Sequence, residues 1–436
     1  MRNFMHVIQL TGLAGLALGY WTGLAQGDDW PQWRGPGRDG VWRETGIIST
    51  FKEPEIARKW TVPISSGYSG PTIASGRVYV TDRVVEPEQR ERVHCFDWET
   101  GQLLWSHSYP RTYVDVGYTA GPRASVTVAE DRAYALGAMG DLHCFDAATG
   151  RVVWKRDMLA DYAIRMPIWG ISAAPLVHGK LVILQIGGEG KCLVALDRET
   201  GAERWSALPD RASYSAPILI EQASRPVLVC WTGDNVAGLN PDTGDVYWLH
   251  PFEPTRMVIG TATPVFDGQR LFVSSFYDGS LMLRVNPRET SVERTWRILG
   301  PSETKTEALH CMISTPFLQD NEVYGFDSYG EFRCLDSQTG ARLWESQQPV
   351  PKARWSTVHT VRNGADLWMF NERGELLRGR VSRAGFEEFT RAKLIHPTQE
   401  QLRQRGGVCW AHPGYAYRHV FARSDEELVC ASLAAE

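Results

Sequence analysis

The sequence has no long run of basic residues, and its formal charge of −5 is spread over mixed Lys, Arg, Asp and Glu. That leaves no electrostatic footprint for nucleic acid, which drops out as a partner. It has no adjacent pair among its eight Cys, and past residue 25 no apolar stretch long enough to cross a membrane. A phosphate loop is also missing: GGEGKC (187–192) has Gln185 where the first Gly belongs and no Ser or Thr after Lys191, so it reads as a hairpin. Ser69 in GYSGP lacks the Gly-x-Ser-x-Gly spacing of a nucleophile elbow. What is abundant is apolar and aromatic residues, 43% and 11%, enough for a large globular core.

Arg2 and His6 precede an apolar stretch from Val7 to Ala25, followed by Gln26-Gly27 and the acidic Asp28-Asp29. This pattern predicts a cleaved secretory signal over 1–27, with an uncleaved anchor as the competing reading, and therefore an exported, periplasmic or extracellular protein without a membrane span in its mature part. No Cys lies near the junction to carry a lipid.

One motif recurs. VHCFDWETGQLLW ends at Trp105, LHCFDAATGRVVW at Trp154, LVALDRETGAERW at Trp205, VAGLNPDTGDVYW at Trp248 and FRCLDSQTGARLW at Trp344. A weaker copy ending at Trp296 has Ser291 in place of the turn Gly, and successive Trp residues are 49, 51, 43, 48 and 48 apart. Each copy is a short alternating strand, a Thr-Gly turn and a strand ending in Trp. A companion pattern, such as SGPTIASGRVYVTD or TATPVFDGQRLFVSS, supplies two more strands, the first opening after Pro. Four antiparallel strands at this period make a propeller blade, with strands A to D running outward from the axis. Strand A openings fall at Pro71, Pro122, Pro175, Pro217, Pro264, Pro316, Val358 and Pro413, which gives eight blades.

The predicted fold is thus all-β, an eight-bladed propeller. ELVCASLAAE (427–436) matches a strand C without its D, whereas ARKWTVP (57–63) is a Trp strand with no A, B or C before it. Trp60 is therefore expected to complete the eighth blade, which removes an exposed edge. The domain reading is a signal over 1–27, an extension packed on the propeller over 28–56, and the propeller over 57–436. The Trp residues are assigned to packing between blades, and Asp97 and Asp336 to hydrogen bonds inside their own turns.

Asp97, Thr100, Gly101 and Trp105, and again Asp146, Thr149, Gly150 and Trp154, match Asp-x-x-Thr-Gly-x-x-x-Trp. On these residues the chain resembles the quinoprotein-like (PQQ-like) propeller repeat. DDWPQWRGPGRDGVW (28–42) resembles the leader of exported PQQ-like propellers of planctomycete type. The Gly-His and Trp-Asp markers of WD-repeat propellers are absent at the required places. The resemblance implies one of two functions. Family dehydrogenases hold pyrroloquinoline quinone and calcium over the funnel and oxidise alcohols or sugars, using an adjacent-Cys disulfide this sequence lacks. BamB-like relatives have eight blades without the quinone and serve as docking platforms.

The long D-to-A connections share one face, where function is expected to concentrate. Candidates there are Tyr68, Arg123, Trp169, Tyr214, Arg256, His310, Trp355 and His412. Arg123 follows Pro122 near the axis, so it is expected to bind an anion or carboxylate or to form a salt bridge in the channel. HPTQEQLRQRGG (396–407) is expected to add a short helix. His310, His359 and His412 raise the question of a metal, but they sit at −6, +1 and −1 from their strand-A openings and need not converge. Cys95, Cys144, Cys334 and Cys430 occupy one strand position in different blades and read as buried thiols, leaving Cys311 with Cys409 as the single pair worth testing. The leading expectation is a non-enzymatic scaffold, with no catalytic residue, metal or cofactor, binding an envelope or extracellular protein or a polysaccharide. The alternative is a PQQ- and calcium-dependent dehydrogenase, and a third option is a polysaccharide-binding lectin.

Overall fold

The structure is a computed structural model describing residues 28–435, and the predicted signal over 1–27 lies outside the described residues. Eight four-stranded antiparallel sheets make eight blades. Blade 1 pairs Thr72–Ala74, Arg77–Val84, Arg90–Asp97 and Leu103–Pro110 in order. Blades 2 to 7 repeat this over 127–157, 176–207, 218–251, 265–298, 317–346 and 358–393. In blade 8, Gly414–Ala416, His419–Arg423 and Glu427–Ser432 are completed by Arg58–Pro63 from the other end of the chain. Trp60 lies opposite Cys430, and Val62 opposite Leu428.

The repeat motif has a mechanical reason. Asp97 Oδ1 accepts from the Glu99 and Thr100 amides at 3.0 and 2.8 Å and from the Thr100 hydroxyl at 2.8 Å. Asp146, Asp197 and Asp336 each hold their turn's Thr in the same way. The turn Gly then takes a left-handed φ, +72° at Gly150, and its bare face receives the Trp ring of the preceding blade. A Cβ on Gly150 would stand 2.5 Å from Trp105 Cδ2. That indole donates its N–H to Ala147 O at 3.1 Å, and Trp60, Trp154, Trp205 and Trp296 donate likewise to Trp98, Arg198, Pro241 and Ser337 carbonyls of the next blade. Asp-x-x-Thr-Gly and Trp are therefore two halves of one inter-blade latch. Blade 5 has lost the Gly, and there Trp248 donates instead to Gln222, whose amide bonds the Glu289 and Ser291 carbonyls.

The ring is also latched at its seam. Arg423 is fully buried and donates to Ser424 O at 2.9 Å, to Thr81 O at 2.7 Å and to Ser65 O, which ties blade 8 to blade 1.

Residues 28–57 cross the propeller on the side of the A-to-B turns. Trp30 bridges Ile73 of blade 1, and the Val128 amide of blade 2 donates to Pro31 O. Arg38 donates to the Ala174, Pro175 and Pro217 carbonyls of blades 3 and 4. Val41 and Trp42 meet Arg362 of blade 7, and Ile47 and Ile48 meet blade 8. This segment thus lies across that end of the axial channel, with Trp30 and Trp42 buried beneath Tyr415 and Trp368. Residues 187–192 lie in a B-to-C hairpin, and 396–407 contain a single turn of 3-10 helix, Arg403–Arg405. All eight Cys are buried and free, so Cys311 and Cys409 do not pair. Burial pushes both of these thiols up to about 12.

Candidate functional site

On the long-loop face the axial channel widens into a cup of about 150 Å³. All eight inter-blade connections contribute to it, and six present an aromatic ring: Tyr68, Tyr118, Trp169, Tyr214, Trp355 and Trp410. Thr261 with Thr263, and Met312 with Ile313, fill the remaining arc. The rings touch one another around the wall. Trp169 and Tyr214 lie 5.0 Å apart, and Tyr118 meets Trp169, Trp355 and Trp410 at 5.9, 6.2 and 6.1 Å. Tyr118, from the loop between blades 1 and 2, therefore reaches rings carried by the far side of the ring of blades.

The sequence explains this convergence. The repeat places equivalent positions before each strand A at the same depth beside the axis. The position three before each opening is Tyr68, Thr119, Ser172, Tyr214, Thr261, Ile313, Trp355 and Trp410, and seven of these eight line the cup. The position one before is small in every blade except the eighth, where it is His412. Trp33 of the crossing segment forms the floor, its Nε1 donating to Thr263 Oγ1 at 2.7 Å and its ring 4.5 Å from that of His412. His412 Nε2 lies 2.6 Å from Ser125 Oγ and its Nδ1 3.1 Å from Pro413 O, so Nδ1 carries the proton and Nε2 accepts. Burial, with His359 and Arg34 nearby, brings its imidazole down to about 3, which keeps it neutral.

The wall is rigid because its loops are anchored from below by side chains at the B-to-C turns. Asp278 Oδ1 accepts from the Thr255 amide and hydroxyl at 2.7 Å. Asp327 accepts from the His310 amide and the Thr306 hydroxyl, both at 2.8 Å. Glu372, almost wholly buried, takes the Thr357 amide at 3.1 Å and the Arg405 guanidinium at 2.5 Å. Asp425 takes the Thr398 hydroxyl and the Glu400 amide. Two cup aromatics sit in left-handed backbone, Trp355 at φ +66° beside the Glu372 anchor and Tyr118 at φ +57°, its carbonyl held by Arg123. Such strain costs about 1–3 kcal/mol per residue and persists only where the surroundings over-determine it.

Of the eight candidates from the sequence, the structure brings Tyr68, Arg123, Trp169, Tyr214, Trp355 and His412 into this lining. Arg256 stays outside, exposed, with its guanidinium 4.9 Å from the Tyr277 ring. His310 is buried in the loop interior, Nδ1 2.9 Å from Phe276 O and Nε2 accepting from the Gly300 amide at 3.1 Å, so it is a structural clasp. At Arg123 the expected salt bridge in the channel is not formed among the described residues. Its Nη1 donates to Gly121 O and its Nη2 to the Gly117 and Tyr118 carbonyls, and it lies over the Tyr68 ring at 5.2 Å. Sequence reasoning missed Tyr118, Trp410, Ile313 and Trp33. Counting three residues back from every strand-A opening finds Trp410 and Ile313, whereas Trp33 carries no repeat signal.

A quinone with calcium does not fit this lining. Calcium needs several converging oxygens, and among the described residues no Asp, Glu or Asn side chain lines the cup. The sole guanidinium there, Arg123, is bonded to carbonyls instead of being presented to a carboxylated ligand. Among the described residues no group of three or more His, Cys, Asp or Glu could hold a metal ion.

A family model described as outer membrane protein assembly factor BamB matches residues 89–346. BamB of Shewanella oneidensis is 23% identical over 206 residues, 43% of this chain, so the chain spans about half (51%) of the curated relative it matches. The structure of BamB from Moraxella catarrhalis is 14% identical with a TM-score of 0.57, covering 86% of this chain and 99% of that one. Quinohemoprotein alcohol dehydrogenase from Comamonas testosteroni is also 14% identical, with a TM-score of 0.62, covering 94% of this chain and 81% of that one. At these identities the two solved structures share the fold alone. With more than half of its length matched by the family model, the chain belongs to the PQQ-like propeller family described as outer membrane protein assembly factor BamB.

Proposed function

We propose that the chain is an exported scaffold that binds a protein of the cell envelope through its long-loop face, the axial cup receiving an apolar side chain of that partner. The observation that carries this reading is the lining itself: six aromatic rings on anchored loops, with no carboxylate or amide side chain among them. Such a surface desolvates an aromatic or aliphatic anchor well, as the centre of a protein interface does. Of the cup's polar groups, Ser172 Oγ already donates to Tyr214 O and Thr263 Oγ1 accepts from Trp33, while Thr261 Oγ1 and Trp355 Nε1 have no partner among the described residues and are open to a polar atom of the bound group. The likeness to BamB proteins, named for outer membrane protein assembly, supports an envelope protein as the partner and export as the address.

The test is titration of an extended peptide carrying one central Trp, and of the same peptide with Ser there, followed by calorimetry. The Trp peptide should bind, the Ser peptide should bind at least about tenfold more weakly, and a Trp169→Ala/Trp355→Ala protein should lose that preference. Equal binding of both peptides would sink the reading, as would robust dye reduction with alcohols or sugars after addition of pyrroloquinoline quinone and calcium.

A further inference from the structure

Beneath the cup, between the crossing segment and blades 6 to 8, lies a second cavity of about 20 Å³. Trp30, Arg34, Thr315, His359, Thr360 and His412 are among its walls, and no carboxylate is. Its polar groups are predominantly donors. Arg34, only 8% exposed, makes one side-chain hydrogen bond, Nη2 to Asp39 O at 3.2 Å. Arg34 Nε and Trp30 Nε1 are buried without an acceptor among the described residues. Thr315 Oγ1 accepts from the Thr263 amide at 3.2 Å, which leaves its own proton to donate, and Thr360 Oγ1 reaches Thr315 O only at 3.5 Å.

The surrounding charge is predominantly positive. Arg34 and Arg362 share the carboxylate of Asp39 with Arg43, to which that carboxylate is bonded at 2.5 Å. Arg38, 4% exposed, is bonded entirely to neutral acceptors, Gln32 Oε1 and three carbonyls. The two histidines are neutral and add no further positive charge. His359 Nε2 lies 2.8 Å from Trp410 O and carries the proton, and burial brings this imidazole down to about 4. A buried guanidinium lacking a partner is costly, and a small anion inside the cavity relieves that cost.

We infer that this cavity is a binding site for one halide-sized monovalent anion, held by Arg34, and that the ion fastens the crossing segment into the channel. The volume is that of about one water-sized group, which suits one small ion.

The experiment is thermal unfolding of the purified chain as chloride replaces gluconate at constant ionic strength, together with bromide-soaked crystals. Chloride should raise the melting temperature saturably, by about 2 °C or more, and Arg34→Met should abolish the rise. Bromide should give an anomalous peak beside Arg34 in the unmutated protein, a readout that stands even if Arg34→Met does not fold. A flat chloride response, an equal rise in Arg34→Met, or a bromide map without that peak overturns the inference.

Discussion

Replacing Gly150 by Ala tests the inter-blade latch against a control built into the same chain. Gly150 has φ +72°, and an added Cβ would stand 2.5 Å from Trp105 Cδ2 and 2.7 Å from Trp105 Cε3. The ring cannot withdraw freely, because its indole N–H is bonded to Ala147 O and its other face packs against Phe145 at 5.4 Å. Gly190 shares the backbone state, φ +66°, but nothing lies within 4 Å of its added Cβ. Left-handed backbone costs an Ala about 1–2 kcal/mol at either site. Overpacking against the Trp adds about 1–3 kcal/mol at Gly150 alone. Gly150→Ala should therefore lose about 2–5 kcal/mol in urea unfolding, and Gly190→Ala about 1–2 kcal/mol. Equal losses would show that the turn glycines serve backbone geometry only, and the account of the repeat motif would fail.

Other consequences are equally direct. Arg423→Met leaves the Ser65 and Ser424 carbonyls without this buried donor and Thr81 O with Ser69 Oγ alone, and should cost about 3 kcal/mol, read as a lowered urea midpoint with earlier proteolysis at the seam between blades 8 and 1; a loss below about 1 kcal/mol refutes its role as a latch. His359 is depressed to about 4 in the fold, so the unfolded chain binds the extra proton first and stability falls as the pH drops from about 6.5 towards 4. At pH 5 this group alone should account for about 2 kcal/mol, and His359→Gln should flatten the slope by that amount. Asp141 and Asp327, raised to about 6, slope the opposite way, losing their contribution as the pH rises through 6, and they cancel in that comparison. All eight thiols should resist a water-soluble thiol reagent in the native state and titrate fully in denaturant without reductant; fewer than eight would reveal a disulfide.

The ring was legible because its latch is local. Asp, Thr, Gly and Trp act within one hairpin and one neighbour, so each blade writes them at the same spacing, and the unpaired Trp strand at 58–63 announced its partner. The cup was half legible. Tyr68, Tyr214 and Trp355 share one offset, three residues before strand A, and the same count would have reached Trp410. The rest depends on long-range contacts with no periodic trace. Trp33 is placed by a segment outside the repeat, His310 is turned inward by Phe276 and Gly300, and Arg123 is claimed by carbonyls of its own loop. Electrostatic reasoning from residue type alone could not foresee that neutral acceptors would satisfy a guanidinium near the axis.

The closing strand has a kinetic side. Arg58–Pro63 emerges early in synthesis, yet its hydrogen-bonding partners in Glu427–Ser432 come from the far end of the sequence. Until those arrive, the first ribbon keeps a bare edge, and so does each newest blade, during the interval when strand edges recruit foreign chains. Contacts of such sequence separation form late and slowly. The step that seals the circle is therefore expected to set the pace of maturation, with the period before it being when this protein most needs a chaperone.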